Sequence, residues 1–523
     1  MNMKKRLGFN RANGFVVWLM VLAMIAGCAG GNNSQPGGTD PANPTSSVKP
    51  SASEGEAAPG EPLRISVIAT YYTPQPPDTT NSAWVKLQEL TNTKLDMTWV
   101  PRSAYDDKIS ISLASNDLPQ AMLALNYTAA PLVNAIKTGA FWEIGPYLSE
   151  FPNLSQMNEL QFNFTKVEGK TYGLYRPRSI ARHGITFRRD WLERLGLQEP
   201  ANPEELYEVL RAFTKDDPDN NGQDDTLGLG EYKDIEAYLL PHVTSWFGAP
   251  NKWSVENGEF EAEFMTPEYL EGLKYIKRLY DEGLINRDFV VTEELQRTTM
   301  FSQGKSGVLL GNNDGAATLK NETLKYNADA VVDLMGNIAG PKGERVFAQQ
   351  GYTGVYLFPK SSVKTEENLK QILGFFDRLL EADAINVMAW GVEGEHYRIV
   401  DGHAEQLIKQ EEKSLLTDGL NELSIDDKSQ RLVAKGADEL LLKGEKRIQD
   451  NATIAVPNPA LGLESATWTQ SKSELDKIIN DAKIKFITGQ LDEAGWESAI
   501  AAWLKAGGQK VLAEFADSLA KSQ

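Results

Sequence analysis

Hydrophobic and polar positions divide the chain into three stretches of different character. Phe15 to Ala26 is an unbroken apolar run of twelve residues. Residues 29–60 are Gly, Ser, Pro, Asn, Ala and Glu with almost no large apolar side chain. From Leu63 onward, apolar positions recur with the periods of strands and helices. Leu63 to Ala69 alternates as a strand does. A helical stretch over Ala83–Leu90, a strand over Leu95–Val100, a helix over Tyr105–Leu113 and a strand over Gln120–Ala124 follow. Strands alternating with helices predict an α/β layer with a parallel sheet.

Later helices announce their starts. Asn202-Pro203-Glu204-Glu205 places a capping side chain, then Pro at the first helical position, then Glu at the third. Leu206, Val209, Leu210 and Phe213 then mark one apolar face. Thr266-Pro267-Glu268 opens another helix, with Leu270, Leu273, Ile276, Leu279 and Tyr280 inward and Gly283 at its end. Val355–Phe358 reads as a strand returning to the sheet. Leu369, Ile372, Leu373, Phe376 and Leu380 define the helix after it. From Glu474 the pattern is mainly helical.

The apolar run at the start has a specific context. Lys4, Lys5, Arg6 and Arg11 precede it, and Ile25-Ala26-Gly27-Cys28 follows. A bilayer-spanning helix needs about 20 residues, so the run suits the core of a signal peptide, residues 1–27. Small residues before the cut admit an extended chain to a peptidase cleft, and the thiol is available for acylation. This resembles the bacterial lipobox, in which the cysteine becomes residue one and carries diacylglycerol. Cys28 is the only cysteine in 523 residues. That excludes an intramolecular disulfide and any cysteine-based metal site. Residues 28–60 then read as the lipidated Cys28 and a disordered leash with a reach of about 30 Å.

Composition narrows the function. The chain is 41% hydrophobic and 24% charged, enough to bury a core, and its length suggests more than one domain. Its formal charge is −19 at pH 7 with no basic cluster, which argues against nucleic acid as a partner. Gly-x-Ser-x-Gly, His-Glu-x-x-His and phosphate-binding glycine loops are missing from the sequence. His183, His242, His396 and His403 are scattered, so no catalytic residue is assigned.

Asp217-Pro218-Asp219-Asn220-Asn221-Gly222-Gln223-Asp224-Asp225 has the form of the first part of an EF-hand loop. Asp217, Asp219 and Asn221 bring side-chain oxygens to one centre, Gly222 permits the turn, Gln223 offers its carbonyl, and Asp225 donates directly or through water. Hard oxygen ligands suit Ca²⁺ in a structural role. Position twelve is Gly228, so the usual bidentate Glu is missing. The plain alternative is an Asx-rich turn without metal.

Four stretches carry a wider resemblance. They are Phe187-Arg188-Arg189-Asp190-Trp191-Leu192-Glu193-Arg194-Leu195-Gly196-Leu197, the acidic loop, Tyr275 to Asn286, and Tyr352–Pro359 ahead of Trp390-Gly391-Val392-Glu393-Gly394. In this order the chain resembles the extracellular solute-binding lipoproteins of ATP-driven carbohydrate importers. The resemblance implies an α/β, two-lobed periplasmic-binding-protein-like fold (type II), its hinge-linked lobes closing on a ligand. The lobes are expected at 61–178 plus 350–400 (lobe I) and 179–349 plus 401–523 (lobe II). It implies a carbohydrate ligand, ABC transporter permease subunits as partners, attachment to the membrane through the lipid, and a monomer. It also adds Thr226, at position ten of the acidic loop, as a calcium donor.

In this family the ligand is held by loops at strand ends. That placement selects Tyr71, Tyr72, Asp117, Tyr175, Arg176, Arg178, Trp246, Asn313, Asp314, Tyr352, Trp390 and Glu393. Tyr72, Arg176, Trp246, Asp314 and Trp390 are the preferred contacts. Each has a plainer reading: aromatics as core, the arginines as ion pairs, Asn313-Asp314-Gly315 as a turn. Trp191 and Trp503 sit in helical patterns and read as core. Two other functions remain open on sequence alone, a secreted enzyme acting on glycosides and a sugar sensor without transport.

Overall fold

A computed structural model describes residues 61–73 and 75–522. The signal peptide, Cys28 and the leash lie outside the described residues. Nine strands build the two principal sheets. They are β1 (Leu63–Tyr71), β2 (Thr93–Pro101), β3 (Ala121–Ala124), β4 (Gly173–Pro177), β5 (His183–Arg188), β6 (Leu227–Leu229), β7 (Ser306–Asn312), β8 (Val332–Leu334) and β9 (Tyr352–Leu357).

The first sheet has the order β2-β1-β3-β9-β4. β1 runs parallel to β2, from Leu63 opposite Thr93 to Tyr71 opposite Pro101, and parallel to β3. β9 is antiparallel to β3 and β4. Helices Ser82–Thr91 and Arg102–Ser115 make the crossovers. Val67 to Thr70 of β1 are all buried, so the strand is covered on both faces, as a central parallel strand is. The second sheet has the order β8-β5-β7-β6, with β5 antiparallel to both β7 and β8.

Each sheet carries its own core. Ile65, Trp84, Tyr105, Leu373 and Phe376 belong to the first; Phe187, Trp191, Phe213, Leu279 and Trp503 belong to the second. The expected caps form. Asn202 Oδ1 accepts from Glu205 N at 3.0 Å and starts helix Pro203–Lys215. Thr266 starts Pro267–Asp281, and Gly283 ends it with φ +72°.

The chain crosses between lobes three times. Residues 178–182 lead from β4 to β5, and 348–351 lead back to β9. These two segments pair: Arg178 N donates to Gly351 O and Gln349 N to Ile180 O, each at 2.8 Å. The third crossing differs from expectation. Leu420, Leu423 and Ile425 lie in the first core, whereas Leu440 packs against Phe301, Leu309 and Leu334 of the second lobe. Helix Gln410–Leu423 therefore belongs to the first lobe, and the lobe boundary expected at 400 moves to between Ile425 and Leu440. Tyr397–Val400 and His403–Gln406 form a hairpin with its own small core around Trp390, Tyr397 and Ala404.

Candidate functional site

Strand register brings some of the candidate residues to one edge of each sheet. Tyr71 ends β1 opposite Pro101, the last residue of β2, and Tyr352 at the start of β9 pairs with Pro177 at the end of β4. The carboxyl ends of the parallel strands and the first crossing thus share an edge, where open α/β sheets bind ligands. In the second lobe, Asn312 ends β7 opposite His183, the first residue of β5. Asn313 and Asp314 follow, and Arg182 stands just before His183.

The first edge sorts into free and engaged groups. Tyr72 is 62% exposed. Burial first, then the Glu422 carboxylate, push its hydroxyl up from the ordinary tyrosine value. Arg176 is engaged: Nη1 donates to Glu422 Oε2 at 2.8 Å and Nη2 to Asn421 O at 2.8 Å. It ties β4 to the end of helix Gln410–Leu423. Arg178, two residues on, is exposed, and its guanidinium has no partner among the described residues. Tyr71 is half-buried.

On the second edge Asp314 accepts from Arg182 at 3.1 Å (Nε) and 2.6 Å (Nη2). Asn313 is buried, and its Nδ2 donates to His183 O at 2.9 Å. A Cβ at Gly184 would sit 2.0 Å from Asn313 Oδ1, so only glycine allows this approach. His183 stacks on His242 with centroids 4.8 Å apart. Burial holds both imidazoles below their ordinary pKa, His242 at about 4. A cavity of about 290 Å³ lies beside the second crossing, lined by His183, Lys252, Glu263, Tyr269, Gln349 and Gln350.

Several expected contacts lie elsewhere. Trp246 and Tyr352 are each 4% exposed and packed within the second and first cores, with no ring face free for a sugar. Tyr175 is buried, its hydroxyl donating to Asn158 O. Asp117 precedes β3 and so stands at the opposite, amino edge of the sheet. Trp390 is 8% exposed, donates to Leu432 O at 3.0 Å, and is capped by Lys413 Nζ 3.2 Å above its ring. Burial, and next the charge of Arg431, lower that ammonium to about 8. Glu393 is exposed on the turn before the 397–406 hairpin. Arg182, Arg431 and Lys428 reach this region without having been singled out. Arg182 pairs with Asp314, 132 residues away, so no local motif marks it; Arg431 pairs with Asp426 five residues before it.

The acidic loop curls through left-handed residues Asp217, Asn220 and Gly222. Asp217 accepts from Asn221 N at 3.0 Å and Gly222 N at 2.9 Å. The Asn221 amide lies between Asp219 Oδ2 (2.9 Å) and Asp225 Oδ1 (3.1 Å). Its Oδ1 accepts from Gln223 N at 2.7 Å, which turns the nitrogen, not the oxygen, toward that centre. Burial first, then the hydrogen bond with Asp217, raise the Asp219 carboxyl. As they stand, the carboxylates of the described residues do not close around one point: no group of three His, Cys, Asp or Glu is arranged to hold an ion, and Lys305 draws Asp225 outward. Thr226 is a correction: it is buried and its hydroxyl donates to Phe213 O at 2.8 Å, turned from the loop into the core.

Two α/β lobes, joined by paired crossings and presenting polar strand ends at the junction, define a two-lobed binding protein. The chain belongs to the bacterial extracellular solute-binding protein family, which it matches over residues 74–384. It is 36% identical over 509 residues to a polygalacturonan/rhamnogalacturonan-binding protein of Bacillus subtilis (strain 168), spanning 97% of this chain and 99% of that one. It is 37% identical over 470 residues to the same organism's lipoprotein LipO, spanning 87% and 92%. A solved HMO-binding, ABC-transporter-associated solute-binding protein from Bifidobacterium longum infantis ATCC 15697 shares the fold. Its TM-score is 0.67 at 19% identity, over 87% of this chain and 98% of that one.

Proposed function

We propose that this protein captures a carbohydrate of oligosaccharide size outside the cell and delivers it to the permease subunits of an ABC transporter. One observation carries the reading. The strand ends that meet at the lobe junction belong to a chain similar along 97% of its length to a protein named for binding polygalacturonan and rhamnogalacturonan. Tyr72 is an exposed ring for the apolar face of a sugar, and Arg178, Asp314 and Asn312 are polar groups for its oxygens. The protein acts by binding and closure and performs no bond chemistry. A lipid on Cys28 would keep it beside its transporter, a reading supported by the similarity to LipO. Asp217, Asp219, Asn221, Gln223 and Asp225 would hold a structural Ca²⁺, a reading supported by their EF-hand spacing.

Thermal unfolding of the purified protein against a panel of neutral and acidic saccharides tests the proposal. A binder present at 100 times its Kd adds about 2.7 kcal/mol, a clear rise in Tm. A panel that shifts nothing, beside a peptide that does, would refute the carbohydrate reading.

A further inference from the structure

The floor of the cavity beside the second crossing is charged. Lys252 Nζ donates to Glu236 Oε2 at 2.8 Å and to Glu263 Oε1 at 3.1 Å, and buried Lys483 donates to the other Glu236 oxygen. Two cations meet two carboxylates, so the network has no net charge. The Lys252 and Glu236 side chains keep 44% and 28% of their surface accessible. Burial nevertheless acts first on both charges. Lys252 and Lys483 then hold Glu236 below its ordinary value, and Glu236 and Glu263 hold Lys252 above its own. Surface that is accessible yet surrounded by protein lies inside a recess.

The network is held in place by its own backbone. Lys252 has φ +63°, a left-handed conformation that a lysine rarely adopts. Glu263 fixes it: Lys252 N donates to Glu263 Oε2 at 2.9 Å, and Glu263 N donates to Lys252 O at 2.9 Å. Strain of this kind persists where surrounding contacts impose it, and it clusters at ligand sites.

The walls are uncharged and of mixed character. Pro241 of helix Leu239–Trp246 and Leu461 present apolar sides. Gln350 and Asn458 each keep half of an amide free. Gln350 Nε2 donates to Tyr352 O at 3.0 Å, which leaves Oε1 to accept. Asn458 Oδ1 accepts from Ala460 N at 2.9 Å, which leaves Nδ2 to donate. Leu461 also packs on the first core, and a Cβ on Gly462 would sit 2.6 Å from Asn163 O of that lobe. The cavity of about 290 Å³ is therefore walled by a crossing, by the second lobe and by a segment seated on the first. Small-molecule pockets start at about 300 Å³, so it has room for one ring and not for a chain.

We propose that this cavity is a subsite for a single uncharged sugar ring at one end of the captured oligosaccharide. The ring's hydroxyls bond Glu236, Lys252, Gln350 Oε1 and Asn458 Nδ2, and its C–H face lies on Pro241 and Leu461. An acidic ring is rejected, because its carboxylate would face Glu236 and Glu263 while both cations of the network are already paired. The assignment rests on the carbohydrate reading above and adds a place in the fold and the charge of the sugar bound there.

Calorimetric titration of the full-length protein with the saccharide panel above, galactotriose, mannotriose, maltotriose and trigalacturonate among them, tests it. At least one neutral saccharide is expected to bind more tightly than trigalacturonate. Ala237→Phe fills the cavity and should weaken that neutral binding at least about tenfold. Gln350→Ala removes one hydrogen bond from an exposed side chain and should weaken it about fivefold. Both should leave the Tm unchanged. Neutral binding unaffected by Ala237→Phe at wild-type Tm overturns the assignment and leaves carbohydrate capture standing. If Ala237→Phe lowers the Tm, Gln350→Ala decides in the same way. Binding of trigalacturonate at least as tight as that of every neutral saccharide has the same consequence. Absence of binding by every saccharide of the panel overturns the carbohydrate reading itself, and this assignment with it.

Discussion

Glu231 is fully buried, and neither of its carboxylate oxygens has a hydrogen-bond partner. Burial raises its pKa from 4.5 to about 7 against the opposing charge of Arg297, which is itself held between the rings of Tyr232 and Tyr238. The folded value lies above the unfolded one. The stability tied to the protonated form is therefore complete below pH 4.5 and lost as pH rises through 7. The difference corresponds to about 3 kcal/mol. Glu231→Gln is expected to unfold at higher urea than wild type at pH 8, with a flatter stability profile between pH 4.5 and 7. Identical profiles would show that the carboxylate is compensated. At another buried acid, Glu422, Arg176→Ala should cost ~3 kcal/mol in urea unfolding, because it strands that carboxylate. A loss below about 0.5 kcal/mol would place the pair effectively in solvent. Residue type alone separates core from cleft poorly. Trp191 and Trp503 read as core and are buried, while Trp246 and Tyr352 read as cleft and are just as buried. Every aromatic has an apolar face, and what decides its use is the fold around it. Arg182 carried no local signal, since Asp314 lies 132 residues from it.

At the scale of elements, the helices with side-chain caps were readable because their signals are local. Asn202-Pro203 and Thr266-Pro267 satisfy orphan N–H groups within three residues. The second sheet was not readable strand by strand. β5 is buried at nearly every position, so it lacks the alternation that marks a half-exposed strand. The acidic loop is the element whose function is most testable. Chelator should lower the Tm and Ca²⁺ restore it, and Asp217→Ala should abolish the response. An unchanged Tm with chelator would make the loop a plain Asx turn. Thr226→Val separates ligand from core. It should cost about 1 kcal/mol of stability through the lost bond to Phe213 O and keep the calcium response. Loss of that response would return Thr226 to the ligand set.

At the scale of the whole molecule, function depends on where the chain changes lobes. The α/β class and the first parallel unit followed from period alone. The third crossing did not: helix Gln410–Leu423 has an apolar face that reveals nothing about which sheet it covers. Its packing on the first lobe leaves the 426–438 segment to carry the chain across to Leu440 in the second. That arrangement suits a protein whose lobes close on a solute. The most direct measurement is calorimetric titration of the purified protein with a series of oligosaccharides of defined length and charge. Saturable binding of one carbohydrate per chain is expected, with a negative heat-capacity change as the lobes bury surface around it. Absence of binding heat across the whole series, with saturable binding of a peptide or another non-carbohydrate solute instead, would contradict it.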